Sequence, residues 1–310
     1  MFAEFVQNLF GGKCQRSILV QLGMATLILF GLWTAWGFCA SQLAVSARFK
    51  ILPEQILIAE PPEWIPASFV QEVLSDYPDL KETELTLLDS TLPATLAKAF
   101  ELHPWVEYVE SVEMTWPASI VIHIAFRTPV AVVAAPLEHY PDAKGGGFLI
   151  DAAGNLLPDA YFQEHSEKLF DYIWIHGITS VPMGSYGEPW NDVLVSEAAA
   201  LAELLHWSNA TLGLKKIVVT PKEEQGIGGD YQLETRRGTK IVWGEFPVAA
   251  SLAARNLPHS PERSAKIRRQ VIDQQEPKVT YLRYLVGCYG SLDRVPDDQK
   301  PIDLTKKSTE

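Results

Sequence analysis

Residues 104–131 read PWVEYVESVEMTWPASIVIHIAFRTPVA, and the second half of this run settles the fold class. Ile120, Ile122, Ile124 and Phe126 alternate with Val121, His123 and Ala125, a period of two that puts the four apolar side chains on one face of a strand. Val106 to Met114 reads as the strand before it, joined through Trp116-Pro117-Ala118-Ser119. Upstream, Ile56 to Ile58 is a short apolar run ended by Glu60-Pro61-Pro62, residues that cannot continue a ladder. Two helices follow. Pro66 suits a first helical position, Phe69, Val70, Val73 and Leu74 share a side, and Tyr77-Pro78 closes the segment. Ser90 or Thr91 caps the second helix, whose stripe is Leu92, Leu96, Ala99 and Phe100, and Pro104 ends it. Strand, helix, helix, strand, strand implies a small α+β unit over residues 41–130, with two helices on one face of a three-stranded sheet.

After Pro129 the pattern changes to short strands separated by turn residues, which predicts a second domain over residues 131–290, mainly antiparallel β with helices. Phe148 to Ile150 and Leu156-Leu157 flank Asp151-Ala152-Ala153-Gly154-Asn155, a turn in which Gly154 or Asn155 can take positive φ. Tyr172 to Ile175, Lys216 to Val219, Tyr231 to Glu234 and Lys240 to Trp243 supply further strands. Helices are expected over Asp192 to Trp207 and from Ser260-Pro261 to about Ile272, and Lys278 to Val286 reads as a last strand. Residues 291–310 are polar and proline-containing and are expected to be disordered.

At the other end, the 23 residues from Ile18 to Ala40 contain no Asp, Glu, Lys, Arg or His. At about 1.5 Å per residue such a helix crosses a roughly 30 Å hydrocarbon layer, so a single transmembrane helix over residues 18–40 is expected after a cytoplasmic stub of residues 1–17. A cleaved secretory signal is the competing reading, but its apolar core runs only about 7–15 residues. Lys13 and Arg16 before the segment balance Arg48 and Lys50 after it. The short stub then favours the cytoplasmic (inner) membrane, with the C-terminal part periplasmic or extracytoplasmic.

The formal net charge of −12 at pH 7 argues against nucleic acid as a partner. Cys14, Cys39 and Cys288 have no metal-ligand or disulfide spacing, and the seven histidines fall singly, with no H-E-x-x-H. Met183-Gly184-Ser185-Tyr186-Gly187 lacks the first glycine of a nucleophile elbow. Gly145-Gly146-Gly147 and Gly226-Ile227-Gly228-Gly229 lack the Lys-Ser/Thr of a phosphate loop. Arg263, Lys266, Arg268 and Arg269 make a basic patch that reads as a solvated face, or as one that meets an acidic partner or anionic lipid. Asn209-Ala210-Thr211 is a sequon that matters only in a host that glycosylates exported proteins. No catalytic residue, metal ligand, cofactor or small-molecule substrate is expected.

Taken in order, these segments resemble the FtsQ/DivIB family of bacterial cell-division proteins, with a stub, one membrane helix, a POTRA domain and a β-rich domain. Pro104-Trp105-Val106, Val112 through Pro117, Ile122-His123-Ile124 and Arg127-Thr128-Pro129-Val130-Ala131 are similar to the family's PWV…V…WP…I.V…R.P.A run. Leu149 through Asn155 resembles its L-V-D-x-x-G segment. Ile241-Val242-Trp243-Gly244 resembles its v-x-L-G strand, and Leu282-Arg283-Tyr284 with Gly287 its D-L-R-Y-x-x-G strand. Tyr281 and Phe126 stand where the family usually has acidic residues. The resemblance implies a non-enzymatic bitopic scaffold that links division proteins and binds bitopic coiled-coil partners through its membrane-distal domain. Lys278 to Val286 is the edge strand expected to accept the partner, with Arg283 offering a charge, Tyr284 an amphipathic anchor and Gly287 room for close approach. In the competing reading Tyr284 packs internally and Arg283 caps a sheet edge. A POTRA-bearing envelope protein for polypeptide transport or assembly is the alternative function, and an anchored cell-wall enzyme a third.

Overall fold

The computed structural model describes residues 22–37, 49–81, 85–116, 118–134, 146–222, 228–246 and 261–305. The chain forms two compact units. The first takes residues up to Ala59, Val70–Ala99 and Ser111–His123, and the second takes Glu60–Phe69, Phe100–Glu110 and the chain from Ile124 onward.

Among the described residues the first element is helical, over residues 22–37 (α1). Among the described residues no helix is long and apolar enough to cross a membrane. The expected transmembrane helix over residues 18–40 is therefore corrected. Lack of charge defined the expected span, of which residues 18–21 and 38–40 lie outside the described residues.

The expected strand, helix, helix, strand, strand order is present. It runs through β1 (Ile56–Ile58), α2 (Phe69–Asp76), the short α3 (Pro78–Lys81), α4 (Leu92–Glu101), β2 (Val106–Thr115) and β3 (Ser119–Phe126). The sheet order is β1-β3-β2, with β1 parallel to β3 in a register that matches Ile56 to Ile120 and Ile58 to Ile122. Ile120 and Ile122 are buried on the face that the period of two singled out, and Val73, Leu92, Leu96 and Ala99 are the buried side of the helices.

The larger unit holds β4 (Pro129–Ala134), β5 (Gly147–Asp151), α5 (Ala160–Glu164), β6 (Ile173–His176), α6 (Val193–His206), α7 (Asn209–Leu212), β7 (Leu214–Pro221), β8 (Gly229–Thr235), β9 (Lys240–Glu245), α8 (Pro261–Tyr289) and β10 (Ile302–Asp303). Its seven strands run in the order β10-β9-β8-β7-β6-β4-β5. The expected mainly antiparallel domain is in fact mixed. β4/β5, β7/β8 and β8/β9 are antiparallel, while β4/β6, β6/β7 and β9/β10 are parallel. The cause is α6, which connects the parallel neighbours β6 and β7 as a crossover helix and turns them into a β-α-β unit. Val130 to Val133 of β4 are all buried, as expected of an interior strand covered on both faces.

Two expectations at the C-terminal end are overturned. Lys278 to Val286 is not a strand but part of the long helix α8. V-T-Y-L-R-Y-L-V is rich in residues that favour strands, yet Val271, Val279, Leu282 and Leu285 are the buried positions, a helical spacing. Pro277 lies inside this helix, so burial of that stripe outweighs the roughly 3 kcal/mol that an interior proline costs. The expected tail also packs. Leu292, Val295, Ile302 and Leu304 are buried, and β10 pairs with β9, where Leu304 N donates to Val242 O at 2.9 Å.

The two readings of residues 278–286 separate experimentally, because positions 282 and 284 share a face in a strand and not in a helix. Leu282→Ala should lower the unfolding free energy by about 2–5 kcal/mol, and Tyr284→Ala by under about 0.5 kcal/mol, both read from urea unfolding.

Candidate functional site

The helix α8 carries the three residues singled out for partner binding. Val279, Leu282 and Leu285 turn inward, so Arg283, Tyr284 and Gly287 fall together on the outer side. Arg283 Nε donates to Ser208 Oγ at 3.0 Å, and its Nη1 stands 3.7 Å from Glu276 Oε1. Ser208 is itself buried, so the guanidinium is held at one end. Tyr284 is 64% exposed and its ring stacks at 6.4 Å on that of Tyr281. A hydrogen bond with Cys288, one turn on, pushes the Tyr284 phenol up from its usual value. Over Gly287 no atom comes within 4 Å of where a Cβ would sit. The three residues thus share a surface, but the surface is helical and has no backbone ladder to offer a partner strand.

Two of the sequence motifs meet at Asp151. Its Oδ2 accepts from Arg127 Nη1 at 2.9 Å and from Asn155 Nδ2 at 2.7 Å, and its Oδ1 accepts from the backbone N–H groups of Ala153 and Asn155 at 2.8 and 2.9 Å. The Asp-Ala-Ala-Gly-Asn turn is closed by its own carboxylate. The same carboxylate then ties the end of β5 to the arginine that precedes β4. Beside it, Arg268 Nη1 donates to Ala152 O at 2.9 Å and Nη2 pairs with Glu203 Oε2 at 3.1 Å. Burial raises the Glu203 carboxyl, with Arg268 acting against that rise. Of the basic patch read from the sequence, Arg268 is thereby committed to the fold.

Two adjoining cavities of about 400 Å³ share Val130 and His206 at the end of α6. One continues past Tyr172, Asn209 and Arg236, and the other past Arg127, Asp151, Glu203 and Arg268. Trp207 stands at the mouth of the second and is 87% exposed. The sequence places Trp207 at the end of a helix. The available signal was an indole two residues beyond Leu205, past the end of the apolar stripe. Burial holds the imidazoles of His176 and His206 below their usual value.

A second buried polar pair serves the core. Tyr231 OH donates to Glu197 Oε2 at 2.8 Å, and burial pushes the phenol far above its ordinary value. Gly228 has φ +108, and a Cβ there would lie 2.7 Å from Glu197 Oε2. Among the described residues no group of three or more His, Cys, Asp and Glu could hold a metal ion. Ser185 lies in an irregular segment where its N–H donates to Glu188 Oε2 at 2.8 Å.

Two outcomes follow from this geometry. Asp151→Ala should cost about 3–5 kcal/mol, since it strands Arg127. Adding Arg127→Ala in that background should cost less than about 1 kcal/mol more, the non-additivity of a shared contact, measured by urea unfolding. For His176 and His206 the folded pKa lies below the unfolded value, so between the two the unfolded chain binds more protons. Their contribution to stability is complete above the unfolded value of about 6.5 and is lost as pH falls through the folded value. The unfolding midpoint should drop as the pH falls below about 6.5, and the double change His176→Gln, His206→Gln should flatten that drop.

No family model and no curated protein matches this chain.

Proposed function

We propose that this chain is a non-enzymatic scaffold of the bacterial cell-division machinery, of the FtsQ/DivIB type, acting on the outer side of the cytoplasmic membrane and docking a coiled-coil partner on the outer face of α8. The observation that carries this reading is the grouping of Arg283, Tyr284 and Gly287 on one exposed helical face. A helical partner packs on such a face through side chains spaced three and four residues apart. Tyr284 supplies a large, stiff contact area, and Gly287 lets a second helix come close without meeting a side chain. Arg283, anchored on Ser208, keeps one side of its guanidinium turned toward the Glu276 carboxylate that a partner's acid would replace. The order of motifs from Pro104 to Asn155 supports the same reading, since Arg127 and Asp151, drawn from two of them, form one ion pair.

The transport or assembly reading is favoured by one feature, the edge strand β2. It has ten residues, of which Val106 alone is buried, and exposed edges of that length accept extended chains. A photo-crosslinking residue in place of Tyr284, used in dividing cells, discriminates between the two. The expected product is a crosslink to a coiled-coil division protein that Gly287→Leu removes. A transporter barrel as the crosslinked product, or no product from position 284 in cells that divide normally, overturns the scaffold reading. With a purified partner, Tyr284→Ala should weaken binding by about 2 kcal/mol.

A further inference from the structure

The cleft beside Asp151 has a volume of about 400 Å³, and all of its lining residues belong to the second compact unit. Clefts of about 300–1,000 Å³ suit small organic ligands. Two of its arginines are already neutralised, Arg127 by Asp151 at 2.9 Å and Arg268 by Glu203 at 3.1 Å. The groups open to a ligand stand at the rim. Glu107 and Arg269, of opposite charge, are both exposed and form no ion pair among the described residues. Thr128 adds an exposed hydroxyl, and Ala152 and Ala153 a small apolar step. Trp207 completes the rim. The His206 ring meets it nearly at right angles, 5.4 Å between centroids, yet the indole stays 87% exposed and its broad apolar surface is uncovered. Three guanidinium groups face three carboxylates across the cleft, so neither an anion nor a cation is drawn in by net charge. A ligand that suits these walls is uncharged, offers both donors and acceptors, and carries a C–H face broad enough to cover an indole. Those are the properties of a pyranose ring.

We propose that this cleft binds a neutral saccharide built of β-linked N-acetylhexosamine units, with Trp207 as the platform for one ring. The sugar's C–H bonds, positive at hydrogen, lie against the negative face of the indole. Its hydroxyls donate to the Glu107 carboxylate and accept from Arg269, and charged partners make these the stronger kind of hydrogen bond. The acetamido methyl covers Ala152 and Ala153. A β-linked chain keeps its substituents in the plane of the ring, which leaves that C–H face flat enough to stack. The neighbouring cavity shares Val130 and His206 with this one and gives the next unit of the chain a place to lie. A nucleotide could stack on the indole equally well, but its phosphates would find only Arg269 without a carboxylate of its own. The inference does not rest on the scaffold reading, and loss of saccharide binding at Trp207 and loss of partner binding at Tyr284 are separate results.

The test titrates the full chain with N-acetylchitotetraose by isothermal calorimetry, with cellotetraose, which has the same linkage and no acetamido group, as the comparison. N-acetylchitotetraose should bind with a Kd between about 10 μM and 1 mM, and cellotetraose about tenfold more weakly. Added salt should leave the Kd unchanged, since the ligand is uncharged. Trp207→Ala should abolish binding, and Arg269→Gln should weaken it about tenfold. Both side chains are exposed, so the thermal unfolding midpoint should stay where it is. The proposal is overturned by no binding of N-acetylchitotetraose up to about 10 mM, by equal binding of cellotetraose, by binding that falls with added salt, or by binding that survives Trp207→Ala.

Discussion

The crossover helix Val193–His206 is the constraint on which the larger unit depends. Nine of its fourteen residues are buried, and because it connects two parallel strands it must lie across the sheet that they share. The run Ala198 to Ala202 makes this feasible, since small side chains let the helix axis approach the strands, while Leu201, Leu204 and Leu205 fill the space at either side. Each such leucine contributes about 1.5–3 kcal/mol through burial. Glu197 is the exception within this set. A carboxylate in that position is tolerable only because Tyr231 on β8 donates to it, which in turn requires that β8 lie two strands from β6 and that Gly228 present no side chain. Register, helix placement and one glycine are thereby linked through a single buried hydrogen bond.

The legible parts of the sequence were those where local pattern and tertiary burial agree. Ile120 and Ile122 are buried as their alternation indicates, Asp192 caps α6 by accepting from Leu194 N at 2.8 Å, and the Asp151 turn closes on its own carboxylate. Strand pairing was not legible in the same way. Short apolar runs of similar composition occur in β4, β6 and β7, and nothing within each run states which neighbour it will meet or in which direction. That information lies between the runs, in a helical segment long enough to carry the chain back across the sheet. Arg127 and Asp151, 24 residues apart, were likewise visible as separate motifs, but their ion pair follows from the β4/β5 register and from nothing local.

Residues 278–286 show how propensity and period can oppose one another. Valine, threonine and two tyrosines argue for a strand over Lys278 to Val286. The deciding information was the spacing of Val279, Leu282 and Leu285, continued backward to Val271 and Ile267 across the proline. Burial of five apolar side chains in one stripe exceeds what intrinsic preference can contribute, since propensity differences are about 1 kcal/mol per residue at most outside proline. The residues chosen as a docking patch survive this reversal as neighbours because 283, 284 and 287 fall together on a helix too. Their chemistry changes, from a ladder of backbone hydrogen bonds to side-chain packing.

That change sets how a partner can gain affinity on α8. If Arg283 were to swing outward to meet an acid, Ser208 Oγ, buried at 2% exposure, would lose the donor it now has, at a cost of about 1–3 kcal/mol. A partner's carboxylate must therefore come to the guanidinium rather than draw it away. The place open to it is the one beside Glu276, whose contact with Arg283 at 3.7 Å is a half-exposed pair of the kind worth about 1 kcal/mol or less. Exchange of one carboxylate for another at such a position changes the balance little. The charge at this face can thus orient a helix and reject a basic one, while the free energy of docking has to come from covering the Tyr284 ring and from the close approach that Gly287 permits.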